Sequence, residues 1–285
     1  MNFKVTGYAF TTHPMHLYLR GLAQKYILNN YNKTIFEFGG NLYDVKTLNN
    51  LVNLDCMNCH TAHKRLCCAG SPYPLETKEI LRVNEIYDEV LKSTLNANEY
   101  NRKSEIINNI GLINEEGSVT TDCGNCMFFN EIEGSSSFGC SIHAYSLKNN
   151  ISYTDLKLDG CLLYPIDILT LDNGGYFVFG LDESNALNLY SFENDSGLQY
   201  GIMSDNKGFS RWTQNDLKHL CVNLTKRSEF IASCKEDDFY KGDIPNEIYK
   251  VEKFKPLFIE EQESLEYLFG KEHLNFIYSK SIEIR

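Results

Sequence analysis

Apolar and polar positions along the chain predict both strands and helices. The segment FKVTGYAF predicts a strand near the N-terminus. A helix should follow, with Thr12 as its N-cap and Pro14 in its first turn. Its apolar residues approximate one helical face: Leu17, Leu19, Leu22, Ala23 and Ile27.

The rest of the chain alternates between regular and irregular patterns. TIFEF and NLYDV predict a hairpin around Gly39 and Gly40. Residues 75–110 predict two helices, the second of which ends at Gly111. Asp-Asn-Gly-Gly at 172–175 predicts a second hairpin, which should pack against the cysteine core through Ile168, Leu169, Phe177 and Phe179. ALNLYSF with LQYGIMS predicts a third strand pair. Further helices are expected at 213–222, at 226–235 and around EEQESLEYLFG, whereas 51–74 and 118–166 read as irregular.

Composition and charge narrow the class of protein. Hydrophobic residues make up 42% of the chain and charged residues 23%, which is typical of a globular protein. The formal net charge of −11 argues against a nucleic-acid partner, since an acidic chain repels phosphate backbones. No signal peptide and no membrane-spanning apolar run is visible. We therefore expect a cytoplasmic protein that contacts neither nucleic acid nor membrane.

The distribution of the ten cysteines is the strongest chemical signal. Eight fall into two clusters in the irregular stretches, Cys56-x2-Cys59-x7-Cys67-Cys68 and Cys123-x2-Cys126-x13-Cys140-x20-Cys161. In a reducing compartment such spacing favours metal binding over disulfides. We predict that these eight cysteines converge on zinc or an iron–sulfur cluster, and Cys221 is a further candidate ligand.

Other residues near the clusters are weaker candidates. His60, His63 and His143 are potential replacement ligands, but sulfur ligands already suffice and solvated loop positions explain them better. Adjacent sulfurs rarely bind one ion together, so Cys67 and Cys68 suit two neighbouring sites or leave one thiol spare. If the site is catalytic, this pair with the metal is the reactive element. Lys64 and Arg65, just upstream, would supply part of the positive electrostatic field that lowers the pKa of a free thiol in this pair.

These motifs resemble a known family of zinc- or iron-chelating cysteine-cluster proteins, the CxxCxxCC or YkgJ type. The resemblance is to a bacterial group of unknown function within it, and rests on Cys67-Cys68 with PLETKE at 74–79, CSIHAY at 140–145 and CLLYPI at 161–166. Arg211-Trp212 and Cys221 match its later RW…C. The resemblance covers roughly residues 54–225 and implies a metal or iron–sulfur site without implying a reaction. The seven residues between Cys59 and Cys67, and Asp159-Gly160 before Cys161, depart from the group's pattern.

Together these observations predict an α+β protein with an irregular, metal-organised cysteine-rich core, a helical insertion and antiparallel hairpins. Its expected parts are an N-terminal α/β extension over 1–50, a cysteine-cluster domain over 51–235 and an acidic-aromatic tail over 236–285 packed on it. Three functional classes stay open: a metal site that transfers electrons or acts on a protein or peptide, a zinc-stabilised interaction module, and a metal-handling protein. A distant relative in the same clan, flagellin lysine N-methylase, adds protein lysine N-methylation by analogy only.

Overall fold

The main sheet joins strands that lie far apart in the chain. The structure is a computed structural model and describes residues 3–61, 74–135, 138–194, 197–222 and 250–284. Its main sheet has the order β1-β9-β10-β3-β2, with β1 Val5–Tyr8, β2 Ile35–Phe38, β3 Asn41–Asp44, β9 Ile166–Leu171 and β10 Tyr176–Gly180. Neighbouring strands run antiparallel except β10 and β3, which are parallel. The chain is thus an α+β protein, as the sequence predicts.

Four two-stranded sheets complete the described strands. They pair β4 Leu51–Val52 with β13 Lys255–Pro256, β5 Thr121–Asp122 with β6 Asn125–Cys126, β7 Phe129–Glu131 with β8 Phe138–Cys140, and β11 Leu189–Asn194 with β12 Gly197–Ile202. The helices are α1 Leu17–Asn30, α2 Val45–Leu48, α3 Thr77–Thr94, α4 Ala97–Ile110, α5 Ser141–Asn149, α6 Tyr153–Leu156, α7 Asp159–Leu163, α8 Leu257–Glu260, α9 Gln262–Phe269 and α10 Lys271–Glu283. None of the helices in the described ranges has both the length and the apolar character that crossing a bilayer requires.

The hairpins and some of the helices follow their local signals. The predicted strand pairs form β2–β3, β9–β10 and β11–β12, and α3, α4 and α9 occupy predicted helical segments. At the β9–β10 turn Gly174 takes a positive φ of 80°, and Leu171 N donates to Gly175 O at 2.9 Å. Such a backbone conformation favours glycine, which explains the strength of this sequence signal.

The β9–β10 hairpin is buried on both faces. On one face Leu169, Phe177 and Phe179 share a first core with α1. On the other face Ile168 and Val178 share a second core with the C-terminal helices. The prediction that Ile168, Leu169, Phe177 and Phe179 pack on the cysteine core is therefore wrong, since Cys126, Cys140 and Cys161 lie against a different cluster.

A third core carries these cysteines. It contains residues of α3, α4 and α5, such as Val83, Val90, Ile107 and Ile142, and Cys126, Cys140 and Cys161 pack against it. Glu79 of α3 is only 1% exposed. Its carboxylate accepts the backbone N–H groups of Glu76 and Asp159, which accounts for its burial.

Three local expectations differ from the structure. Helix α1 is capped by His16, whose Nδ1 accepts from Tyr18 N, and not by Thr12. Residues 118–166 are not irregular, because they form four short strands and three helices. Residues 213–222 contain 3-10 turns at Asp216–Lys218 and Leu220–Val222 in place of a helix, and the expected helix at 226–235 lies outside the described residues.

Candidate metal centre

The first Cys-x2-Cys pair lies in a short, locally closed turn. Asn58 Nδ2 donates to the carboxylate of Asp55 at 2.9 Å, and Asn58 N donates to Asp55 O at 3.2 Å. The Cys59 thiol lies 3.4 Å from the carbonyl oxygen of Cys56. Cys59 is buried and Cys56 exposed, so the two thiols of this turn have different access to solvent.

The second pair lies on the β5–β6 hairpin. Cys123 and Gly124 form its two-residue turn with positive φ values of 50° and 82°, as a type I′ turn requires. Cys123 is therefore exposed at the tip, whereas Cys126 packs against the third core. A left-handed cysteine is uncommon and costs backbone strain, which the hairpin must offset through its other contacts.

Asp122 supplies those contacts by anchoring the hairpin to α4. Its carboxylate lies 2.8 Å from Lys103 Nζ and also accepts from the Arg102 guanidinium. The side chains of Lys103 and Asp122 are 3% and 9% exposed, so this ion pair is largely withdrawn from water. The Arg102 hydrogen bond, acting against desolvation, holds the pKa of Asp122 well below its ordinary value.

Replacing Asp122 by Asn is expected to lower the free energy of unfolding by about 2 kcal/mol, because Lys103 loses its charged partner. A depressed carboxyl pKa contributes stability above the unfolded value of about 4, and this contribution is lost as pH falls below it. Urea unfolding of wild type and Asp122→Asn at neutral pH and at pH values below about 4 measures the difference. A difference in the free energy of unfolding between wild type and Asp122→Asn that stays constant with pH would contradict the assigned role of the carboxylate.

Cys140 lies at the junction of β8 and α5, close to Cys126. It pairs with Phe129 across the β7–β8 ladder and occupies the N-cap position of α5. Burial raises the pKa of the Cys126 thiol to about 12, and the neighbouring Cys140 adds to this shift. These two sulfurs therefore belong to one local environment.

The first cysteine turn packs directly on β8. Phe138 N donates to His60 Nδ1 at 3.3 Å, and the rings of His60 and Phe138 lie 5.4 Å apart. Met57 approaches Gly139 so closely that a Cβ added there would lie 2.6 Å from the Met57 sulfur. The turn of Cys56 and Cys59 and the strand that ends at Cys140, separated in the chain by the α3–α4 helical hairpin, thus meet in space.

Lys157, which the sequence patterns do not single out, interacts electrostatically with cysteines of both clusters. Desolvation lowers the pKa of its ammonium, but the negative charges of Cys56, Cys140, Glu261 and Cys161 raise it by more, to well above its ordinary value. The backbone of Lys157 is fixed from both sides. Its N–H donates to Tyr153 O at 2.8 Å, and its carbonyl accepts from Arg82 Nη2 at 2.8 Å.

Three further polar groups surround this lysine. Its ammonium lies 6.0 Å from the ring centroid of Tyr153, which stacks on His143 at 5.2 Å with an interplanar angle of 3°. Burial and the charge of Lys157 lower the pKa of His143 to about 4, and within the described ranges its buried Nδ1 has no hydrogen-bond partner. Burial raises the pKa of Glu261 to about 7 against the opposing effect of Lys157, and Ser264 Oγ donates to Glu261 Oε2 at 2.7 Å.

The remaining candidates lie elsewhere or outside the described residues. Cys221 packs against the second core, and its carbonyl oxygen accepts from Asn53 N at 2.7 Å. Cys67 and Cys68 fall in 62–73, outside the described ranges, as do His63, Lys64 and Arg65. The role predicted for the vicinal pair stays a prediction.

The chemistry of the donor set fits a thiophilic metal. Cysteine sulfurs bind zinc and iron–sulfur clusters as thiolates, and a nearby cation offsets their charge. Among the residues that the structure describes, no three His, Cys, Asp or Glu side chains are grouped closely enough to hold an ion. The described part of the chain therefore brings soft donors together without closing a site by itself.

Comparison with models of known protein families, with curated proteins and with solved structures gives no match to this chain. The resemblance to the cysteine-cluster family accordingly rests on the motifs alone.

Proposed function

We propose that this chain is a cytoplasmic metalloprotein of the cysteine-cluster type, which binds zinc or an iron–sulfur cluster through thiolates of both cysteine clusters. The described residues supply six of the predicted sulfurs, those of Cys56, Cys59, Cys123, Cys126, Cys140 and Cys161. Cys67 and Cys68 complete the donor set that the sequence predicts.

One observation carries this proposal. The turn that holds Cys56 and Cys59 packs on the strand that ends at Cys140, through the hydrogen bond from Phe138 N to His60 Nδ1 at 3.3 Å and the close approach of Met57 to Gly139. Residues 56 and 140 are separated by two helices, so their proximity is a product of the fold and not of local sequence. Scattered buried thiols would have no reason to be brought together from two loops so far apart in the chain.

When bound, zinc would crosslink the loops or polarise a bound oxygen, whereas an iron–sulfur cluster would carry electrons. This chain's own residues determine how far the proposed centre is shielded from solvent. The third core shields Cys126, Cys140 and Cys161 on one side, and the exposed position of Cys56 leaves the centre open toward solvent on another. Such an opening suits exchange of electrons or contact with a protein or peptide.

Anaerobic purification followed by an absorption spectrum and metal analysis tests the proposal. A brown protein with visible absorption contains iron–sulfur, and a colourless one with stoichiometric zinc contains a zinc site. Cys140→Ser is expected to abolish binding of the metal, whereas Cys221→Ser, at a half-buried cysteine that packs against the second core, is expected to retain it. A wild-type protein that holds neither zinc nor iron under anaerobic conditions would refute the proposal.

A further inference from the structure

His273, in the first turn of α10, connects this helix to the main sheet. Its Nδ1 lies 2.6 Å from the hydroxyl oxygen of Tyr43, a fully buried residue of β3. The ring lies over Gly39 in the β2–β3 turn, where an added Cβ would be 2.6 Å from the His273 Cε1 atom. The rings of Phe38 and Phe269 lie beside it at 4.9 Å and 6.3 Å. The imidazole is therefore held in one position between the sheet and the C-terminal helices.

The direction of the hydrogen bond between Tyr43 and His273 follows from Asn41. Asn41 Oδ1 accepts from Tyr176 N at 2.9 Å, which fixes the amide so that its Nδ2 donates to the Tyr43 hydroxyl oxygen at 3.2 Å. Tyr43 must then donate its own hydroxyl hydrogen to His273 Nδ1, because the described part of the chain offers this buried hydrogen no other acceptor. His273 Nδ1 is consequently unprotonated, and the ring is a neutral imidazole with its hydrogen on Nε2.

We propose that His273 is a pH-sensitive switch, which holds α10 on the main sheet while its imidazole is neutral and releases the helix when Nδ1 gains a proton. Protonation places an N–H donor against a hydroxyl that already accepts from Asn41, and the Tyr43 hydrogen loses its acceptor. Release would uncover apolar surface, since Ile277 is fully buried in the second core and Phe276 packs against it. The switch does not depend on the proposed metal centre, because Cys126, Cys140 and Cys161 pack against the third core.

The other groups around the ring act in the same direction or only weakly against it. A positive charge is unfavourable in the first turn of a helix, and burial lowers the pKa of His273 against the opposing effect of Glu272. Tyr43 stays neutral because burial raises its pKa, and the rings from β2 and α9 carry no charge. The charged residues of α2 and α9, which pack against α10, are exposed: Lys46, Glu263 and Glu266. A lowered histidine pKa contributes stability that is complete above the unfolded value of about 6.5 and declines as pH falls below it.

Two measurements on the full-length chain test the switch. An NMR titration of the histidine ring nitrogens reads the tautomer and the pKa of His273 in the wild type, with the exposed His13 as internal reference. Hydrogen exchange, corrected for the intrinsic effect of pH on exchange, reads the protection factors of the α10 amides between about pH 8 and pH 5. His273→Asn keeps an acceptor oxygen near the Nδ1 position that does not titrate in this range, and His13→Asn is the matched control. Far-UV circular dichroism checks the fold of both variants.

His273 is expected to carry its hydrogen on Nε2 and to have a pKa below that of His13. Protection of α10 in the wild type should fall by up to about tenfold per pH unit below about pH 6.5, because opening takes up one proton. His13→Asn should follow the wild type, whereas protection in His273→Asn should stay nearly constant. A hydrogen on Nδ1, or a His273 pKa equal to or above that of His13, would overturn the inference even if His273→Asn does not fold. The same pH dependence of α10 protection in wild type and His273→Asn would overturn it as well.

Discussion

Removal of the metal by a chelator is expected to loosen the cysteine-bearing part of the protein while the main sheet stays folded. Structural zinc contributes on the order of 10 kcal/mol in small sites, so its loss should exceed the effect of a single substitution. The proposed ligands pack against the third core, whereas the first and second cores enclose the main sheet with α1 and the C-terminal helices. Loss of the metal should therefore destabilise the part of the protein around the third core and leave the main sheet folded.

The single tryptophan makes this division measurable. Trp212 lies 4.9 Å from Tyr164 and packs beside Leu181, Ala186 and Leu217, away from the third core. Its fluorescence is expected to change little on chelation, while trypsin should begin to cleave within α3–α5. Readdition of the metal should restore protection. Chelation that leaves both the proteolysis pattern and the melting curve unchanged would contradict a stabilising metal.

The elements that the sequence predicts well are those with strong local determinants. The turn at 172–175 requires a positive φ at Gly174, and Gly111 ends α4 with a φ of 84°. The sequence predicts that α1 begins too early, because Thr12 is a better intrinsic cap than His16. In the structure the extended segment before α1 is held by tertiary contacts. Thr11 Oγ1 donates to Pro74 O, which sequence patterns do not reveal.

The prediction that residues 118–166, around the second cysteine cluster, are irregular is wrong for a different reason. Residues 118–166 contain strands of two or three residues, too short to show a period of two. Such ladders form because the cysteine loops and α3–α5 pack together, not because of strand propensity. Local patterns therefore predicted loops where the structure has hairpins.

The candidate site was predictable from its cysteines but not from its polar surroundings. Cysteine spacing is itself a signal, so the donors were identified directly. Lys157 and Glu261 carry no spacing signal relative to the cysteines, and only the fold brings α6 and the start of α9 beside them. His143 was considered as a replacement ligand, but its stacking on Tyr153 is a tertiary contact.

Replacing Asp167 by Ala is expected to lower the free energy of unfolding by about 4 kcal/mol, in the range for breaking a buried ion pair. Asp167 Oδ1 accepts from Arg211 Nε at 2.7 Å, and the two side chains are 0% and 4% exposed. The same carboxylate accepts from Ser210 Oγ and from the backbone N–H groups of Ile168 and Arg211. Its loss removes the carboxylate that balances this buried guanidinium and takes the acceptor away from two backbone donors.

Asp172→Ala on the same hairpin provides a matched control. Its carboxylate also accepts a backbone hydrogen bond, from Lys4 N at 2.7 Å, but at an exposed position, so the expected loss is about 1 kcal/mol or less. In a double variant, Arg211→Met should recover part of the stability lost in Asp167→Ala, because the uncompensated charge is removed. Urea unfolding of wild type, Asp167→Ala, Arg211→Met and the double variant, read by Trp212 fluorescence, yields the coupling energy. Purely additive losses would show that Arg211 does not depend on Asp167 for its burial.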